Sequence, residues 1–194
     1  MQTWTRKSSM TGPRLRSELE AQEAAVLRGM VGSINEMLAE REDSAPQDEL
    51  AELTGLRTGH STPPEDATIA RLLPDFHRTD LGAEDGVDDT EADPDSAAAL
   101  RSLHEPEVIA AKRAAAAALL ATCPPEGGKV SLTPEDADSW LVAINDVRLS
   151  LGVVLEIDED TPEELPEEDP RAGHLGVYHW LTWVQDSLVQ ALLA

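Results

Sequence analysis

The chain has 194 residues, of which 41% are apolar and only 3% aromatic, so its core must be built from Leu, Val, Ile and a great deal of Ala. Its 15 Lys and Arg face 38 Asp and Glu, and the formal charge of -23 repels phosphate backbones over most of the surface, which argues against direct nucleic-acid binding. The one cysteine excludes an internal disulfide, and the longest apolar run, Ala114 to Ala121, is far short of the ~20 residues of a bilayer span. The opening residues lack the apolar core of a secretory signal, so the expectation is a soluble, cytoplasmic protein with no membrane partner.

Arg6, Lys7, Arg14 and Arg16 form a basic island free of carboxylates at the start of this acidic chain. Residues 1–14 are expected to be a basic N-terminal arm or edge strand. From Leu15, the residues Leu15, Leu19, Val26, Met30, Ile34 and Met37 keep helical spacing and predict a long helix reaching about Arg41. Asp48 to Thr54 reads as a short helix closed by Gly55. A loop over Thr58–Pro63 precedes another short helix, Ala67 to Leu73, begun by Pro64, Glu65 and Asp66 and stopped by Pro74.

Between Asp80 and Asp95 stand eight carboxylates and no basic side chain. Such a run buries too little to offset its ordering entropy and is expected to be solvated. Asp95 can cap a helix from Ser96, which Glu105-Pro106-Glu107 restarts or bends into the Ala-rich stretch Val108 to Thr122. Lys129-Val130-Ser131-Leu132 alternates like a strand, with Met1 to Thr5 as the plausible mate. Thr133-Pro134-Glu135-Asp136 supplies an N-cap, a proline at the first helical position and acids in the first turn of a helix expected to reach Leu155. A second acidic loop holds nine carboxylates from Glu156 to Asp169. Val177, Leu181, Val184, Leu188 and Leu192 then define a last amphipathic helix.

On the helix from Pro134, residues Trp140, Ile144, Val147, Leu151, Val154 and Leu155 share one face, and Val142, Leu149 and Val153 cover another arc. That pattern suits a helix sandwiched between others. Arg148 lies at the edge of the main apolar face while Asp146 points about 160° away. The guanidinium therefore needs a partner from elsewhere, with Glu18, Glu23 and Asp186 as candidates, and a scaffold salt bridge is the favoured role. Gly152 suggests a close helix contact. Trp180 and Trp183, near Tyr178, could make an aromatic ledge for a partner, although a core role is favoured in a chain with so few large side chains.

No catalytic, metal or cofactor pattern stands out. The acidic runs lack the alternating ligands and central Gly of a calcium loop. His174 and His179 lack zinc spacing, and His60, His77 and His104 stand alone as surface or capping residues. Gly127-Gly128-Lys129 lacks the rest of a phosphate loop. Cys123 sits at the negative end of the Ala-rich helix, with Lys129 the nearest following cation, so its thiol is expected to be inert.

Several segments together carry a resemblance: Pro64-x-Asp66 with Ile69-Ala70-Arg71-Leu72-Leu73-Pro74-Asp75; Val130-x-Leu132-Thr133-Pro134-Glu135-Asp136; Trp140-Leu141-Val142-Ala143-Ile144-Asn145-Asp146-Val147-Arg148-Leu149; and Tyr178-His179-Trp180-Leu181-Thr182-Trp183-Val184-Gln185-Asp186-Ser187-Leu188. Over nearly its whole length the chain resembles the actinobacterial domain-of-unknown-function family that includes the oxidative-stress transcriptional regulator AosR. The resemblance implies a regulator that contacts a stress-response sigma factor or RNA polymerase. Family genes often stand beside a Clp protease adaptor and cysteine-biosynthesis genes, so the alternative is an accessory factor in Clp adaptor-dependent proteolysis, and an uncharacterised enzyme comes third. Trp140, Asn145, Asp146, Arg148, Trp180, Trp183 and Gln185 are the candidate structural or interaction residues. With Cys123 alone, oxidant sensing would need an intermolecular or mixed disulfide or a sulfenic acid.

The expected fold is mainly α, a helical bundle of four main helices plus short helices and one short two-stranded β element. Residues 15–194 are expected to form a single helical domain with acidic loops at 80–95 and 156–170. The expected function is non-enzymatic regulation through protein contacts, without cofactor or metal, and the long first helix could also pair two copies as a homodimer.

Overall fold

The computed structural model describes residues 1–10, 12–46, 58–76, 94–162, 164–166 and 168–194. The expected helix over Asp48–Thr54, the solitary His77 and the acidic run from Asp80 to Asp93 lie outside them. In chain order the elements are β1 (Thr5–Ser9), β2 (Gly12–Leu19), α1 (Ala21–Asp43), α2 (Ala67–Leu72), α3 (Pro94–Thr122), β3 (Gly128–Leu132), α4 (Pro134–Val154) and α5 (Ala172–Leu193). The fold is mainly α with a small antiparallel sheet.

That sheet has three strands in the order β1-β2-β3, not two. Leu15 and Leu19, expected on the long helix, lie on the central strand. A spacing of four fits both the helical and the two-residue period, and the deciding feature is the alternation in which Leu15, Ser17 and Leu19 are buried while Arg16 is exposed. The mate of β3 is accordingly β2, with Leu15 opposite Leu132 and Leu19 opposite Gly128, and not Met1 to Thr5. Gly127 makes the crossing: at φ +73° it lies so close to the β2–α1 junction that a Cβ would come within 2.7 Å of the Ala21 backbone nitrogen.

Helix α1 begins one residue past β2, where the Glu20 and Glu23 side chains and backbones cap one another reciprocally. Helix α4 begins as its sequence predicts. Thr133 Oγ1 accepts from the Asp136 N–H at 3.0 Å and Asp136 Oδ2 from the Thr133 N–H at 3.0 Å, with Pro134 at the first position. Asp66 caps α2 by accepting from the N–H groups of Thr68 and Ile69, both at 2.9 Å. Asp95, expected as a cap, instead sits in the first turn of α3, which already includes Pro94.

Helix α3 continues through Pro106 rather than restarting there. Proline has no N–H, so the Ser102 carbonyl four residues earlier loses its helical donor. The Gly59 N–H takes that place at 2.7 Å. The proline ring lies so close that a Cβ on Gly59 would meet it at 2.9 Å, which explains the glycine. A loop thus docks on the defect that would otherwise destabilise the helix.

Helix α4 is the centre of the bundle, in contact with α3, α5, α2 and α1, while the sheet packs against it and α5. Trp140, Ile144, Val147, Leu151 and Leu155 are buried as expected, but Val154, expected on the same face, is exposed where the helix ends; on the second arc Val142 is exposed and Leu149 and Val153 are half-buried, so that arc is only partly covered. Gly152 does not serve a close helix contact, since a Cβ there would meet nothing within 4 Å. Its carbonyl instead accepts the Ile157 N–H at 2.9 Å while Glu156 N–H reaches Val153 O at 3.1 Å. Glu156, at φ 53°, supplies the left-handed residue that this helix ending requires.

Candidate functional site

Most of the sequence-singled residues fall on the α4–α5 seam or the adjoining α3 face. Trp140 is fully buried, edge-on to Trp4 with ring centroids 5.5 Å apart, and its Nε1–H donates to Thr122 Oγ1 at 2.7 Å. One indole therefore ties α4 to the end of α3 and to the residue before β1. Trp4, an isolated aromatic in a polar opening segment, gave no periodic signal of this role.

Among the described residues Arg148 finds no carboxylate. Its Nε donates to Thr182 Oγ1 at 3.0 Å, its Nη1 to Gln185 Oε1 at 2.6 Å, and its guanidinium lies 5.4 Å from the Tyr178 ring centroid. Thr182, Gln185 and Tyr178 share one face of α5 at helical spacing, which presents two oxygens and a π face to the planar cation. Glu18 and Glu23 are engaged elsewhere, by Gln2 and by the Met1 amino group. Asp186 is one residue past Gln185, turned to solvent. Neutral acceptors thus replace the expected salt bridge.

Asp146 pairs with Lys112 of α3, Nζ to Oδ1 2.5 Å, with the carboxylate side chain only 4% exposed. Burial raises the Asp146 carboxyl above its ordinary range, and the hydrogen bond and charge of Lys112 only partly oppose that. Asn145 is half-buried and makes no side-chain hydrogen bond among the described residues. Trp180 is half-buried against the core with Nε1 lacking a partner, whereas Trp183 is 41% exposed.

A second network gave only a faint sequence signal. Glu105, fully buried in α3, accepts from Arg101 Nη1 at 3.0 Å and from Arg41 Nε of α1 at 2.8 Å. Arg101 also reaches Asp75 at 2.6 Å and Leu73 O at 3.2 Å. The four-residue step from Arg101 to Glu105 is legible as a helical pair, but Arg41 and Asp75 arrive only through the fold.

Cys123 is 2% exposed at the end of α3. The cation beside it is Arg28 of α1, not Lys129: Arg28 Nη1 donates to Leu120 O at 2.5 Å and Cys123 O at 2.6 Å. Burial pushes the thiol up, and the charge and hydrogen bond of Arg28 pull it back only in part. His60 caps α1, its Nε2 2.9 Å from Arg41 O.

A hollow of about 520 Å³ is lined by Glu164, Leu165, Ala172, Leu175, Gly176 and His179, without a nucleophile and base in hydrogen-bond contact. Among the described residues no three His, Cys, Asp or Glu side chains are grouped to hold a metal ion, and no helix is long and apolar enough to cross a membrane.

Residues 1–192 match the family described as a domain of unknown function, DUF2017. A Mycobacterium tuberculosis protein named oxidative stress regulator AosR is 48% identical over 190 residues, covering 98% of this chain and 87% of the relative. A Mycobacterium bovis protein of the same name matches with the same identity and coverage. No solved structure matches. With a family match across almost all its residues and relatives at this identity, the chain belongs to the DUF2017 family.

Proposed function

We propose that this chain is a regulatory protein that works by contact with a partner of the transcription machinery, a sigma factor or RNA polymerase, and makes or breaks no covalent bond itself. The observation that carries this reading is how the distinctive side chains are used. Arg148 and Gln185 bind each other across α4 and α5, Asp146 binds Lys112, and Trp140 binds Thr122. Those residues hold helices together, which leaves recognition to the outer surface. That surface belongs to a chain of formal charge -23, suited to the basic surfaces of transcription proteins because complementary charge speeds encounter. The relatives' name, oxidative stress regulator, supports the same reading.

Trp183 is the exposed aromatic best placed to anchor such a contact. Co-purification with core RNA polymerase and with separate sigma factors, at low and at moderate salt, tests the proposal. The expected result is a retained partner whose association slows as salt rises, and a Trp183→Ala variant that is retained about tenfold less with unchanged thermal stability. Absence of a retained partner at either salt overturns it.

A further inference from the structure

Among the described residues, most basic side chains of the helices are used by the fold. Arg28, Arg41, Arg101 and Arg148 donate to carbonyl, carboxylate or amide oxygens, and Lys112 and Arg113 pair with carboxylates. Exposed Arg71 of α2 aside, the exceptions lie on the sheet. Strand register places Lys7 opposite Arg14, Arg16 between Thr5 and Ser131, and Lys129 opposite Glu18, all on the face turned away from Leu15, Val130 and Leu132. Among the described residues no helix covers that face: Lys7, Arg16 and Lys129 are exposed, and none of the three makes a side-chain hydrogen bond or ion pair.

Like charges on neighbouring strands cost stability. A chain with 38 carboxylates had ample opposite charge to place there, yet among the described residues Glu18 is the one acid on the face. We infer that the outer face of the sheet, through Lys7, Arg16 and Lys129, is a docking site for an acidic segment of a partner protein. This surface is opposite in sign to the rest of the molecule and does not depend on the contact proposed above.

The chemistry selects among anionic occupants. Three strands about 4.8 Å apart and a few residues of rise make a footprint of roughly 10 by 14 Å, enough for a short peptide. Within a Debye length of about 8 Å the local cations dominate the field. A nucleic acid would carry its phosphates past this footprint onto acidic surface, and the face offers no aromatic side chain on which bases could stack. A second copy would bring the same cations face to face, or would join head to tail in a contact that does not close.

The experiment uses a fluorescein-labelled oligo-glutamate peptide, with single-stranded and duplex DNA as competing probes, and fluorescence anisotropy at low salt. Lys129→Glu and Arg71→Glu change net charge equally, but Arg71 is an exposed residue of α2, away from the sheet. Peptide binding that falls about tenfold in Lys7→Glu/Arg16→Glu/Lys129→Glu, falls partly in Lys129→Glu and is unchanged in Arg71→Glu supports the site. The milder Lys129→Gln, compared with Arg71→Gln, keeps the comparison valid if the triple variant unfolds. No peptide binding, equal loss in the sheet and α2 variants, tighter binding of either DNA, or sheet-dependent self-association seen by sedimentation each overturns it.

Discussion

Asp146 and Cys123 show how burial, more than charge pairing, sets the behaviour of single residues in this bundle. Because the folded Asp146 carboxyl titrates above its ordinary 3.8, the native state holds this proton more tightly than the unfolded chain. The resulting stabilisation is complete below pH 3.8 and is lost as pH rises through the raised folded value. Chemical denaturation at a series of pH values should therefore show wild type losing stability relative to Asp146→Asn across that window, and the opposite slope would refute the assignment. The Cys123 thiol, raised by burial and sealed beneath α1, should react with iodoacetamide only through transient opening. Its alkylation rate in the native protein should rise in parallel with the unfolding equilibrium as denaturant is added, whereas a rate independent of denaturant would mark a directly accessible thiol.

Helix ends and helix defects are where this fold is most finely determined. Glu156 occupies a left-handed position at the end of α4 that glycine adopts without steric cost. Replacing Glu156→Gly should raise stability by about 0.5–1 kcal/mol in urea denaturation, and a loss would show that the Glu156 side chain matters more than its backbone. Elements with local chemistry were legible in the sequence: the Thr133-Pro134-Glu135-Asp136 start of α4 and the apolar stripe of α5 each depend on residues within a turn or two. Features decided by distant partners were not. The four-residue step from Leu15 to Leu19 suits a helix as well as a strand, and pairing with β1 and β3, which leaves one face of the segment buried, decides between them. Pro106 reads as a restart or a bend until Gly59 arrives to satisfy Ser102. At the candidate site, the need of Arg148 for an outside partner was visible, but the oxygens of Thr182 and Gln185 were not, because a neutral acceptor leaves no charge pattern to find.

The whole molecule carries a charge of -23 and holds it against self-repulsion. Its exposed ion pairs, such as Arg171 with Asp169, are worth little, so screening should relieve more repulsion than it removes attraction. The melting temperature is expected to rise as salt shortens the Debye length from about 10 Å to about 3 Å, and differential scanning calorimetry showing a fall would mean that attractive pairs dominate. The sheet has a consequence on another clock. The Trp4 N–H finds its acceptor on Ser187, 183 positions further along. A ribosome adds about 5–20 residues per second, so roughly 10–40 s separate the making of the first strands from that of the helix that receives them. During that interval the nascent hairpin can gain β3 and Trp140 but not its Ser187 acceptor, and the clasp of Trp4 on α5 is the last of these contacts to close.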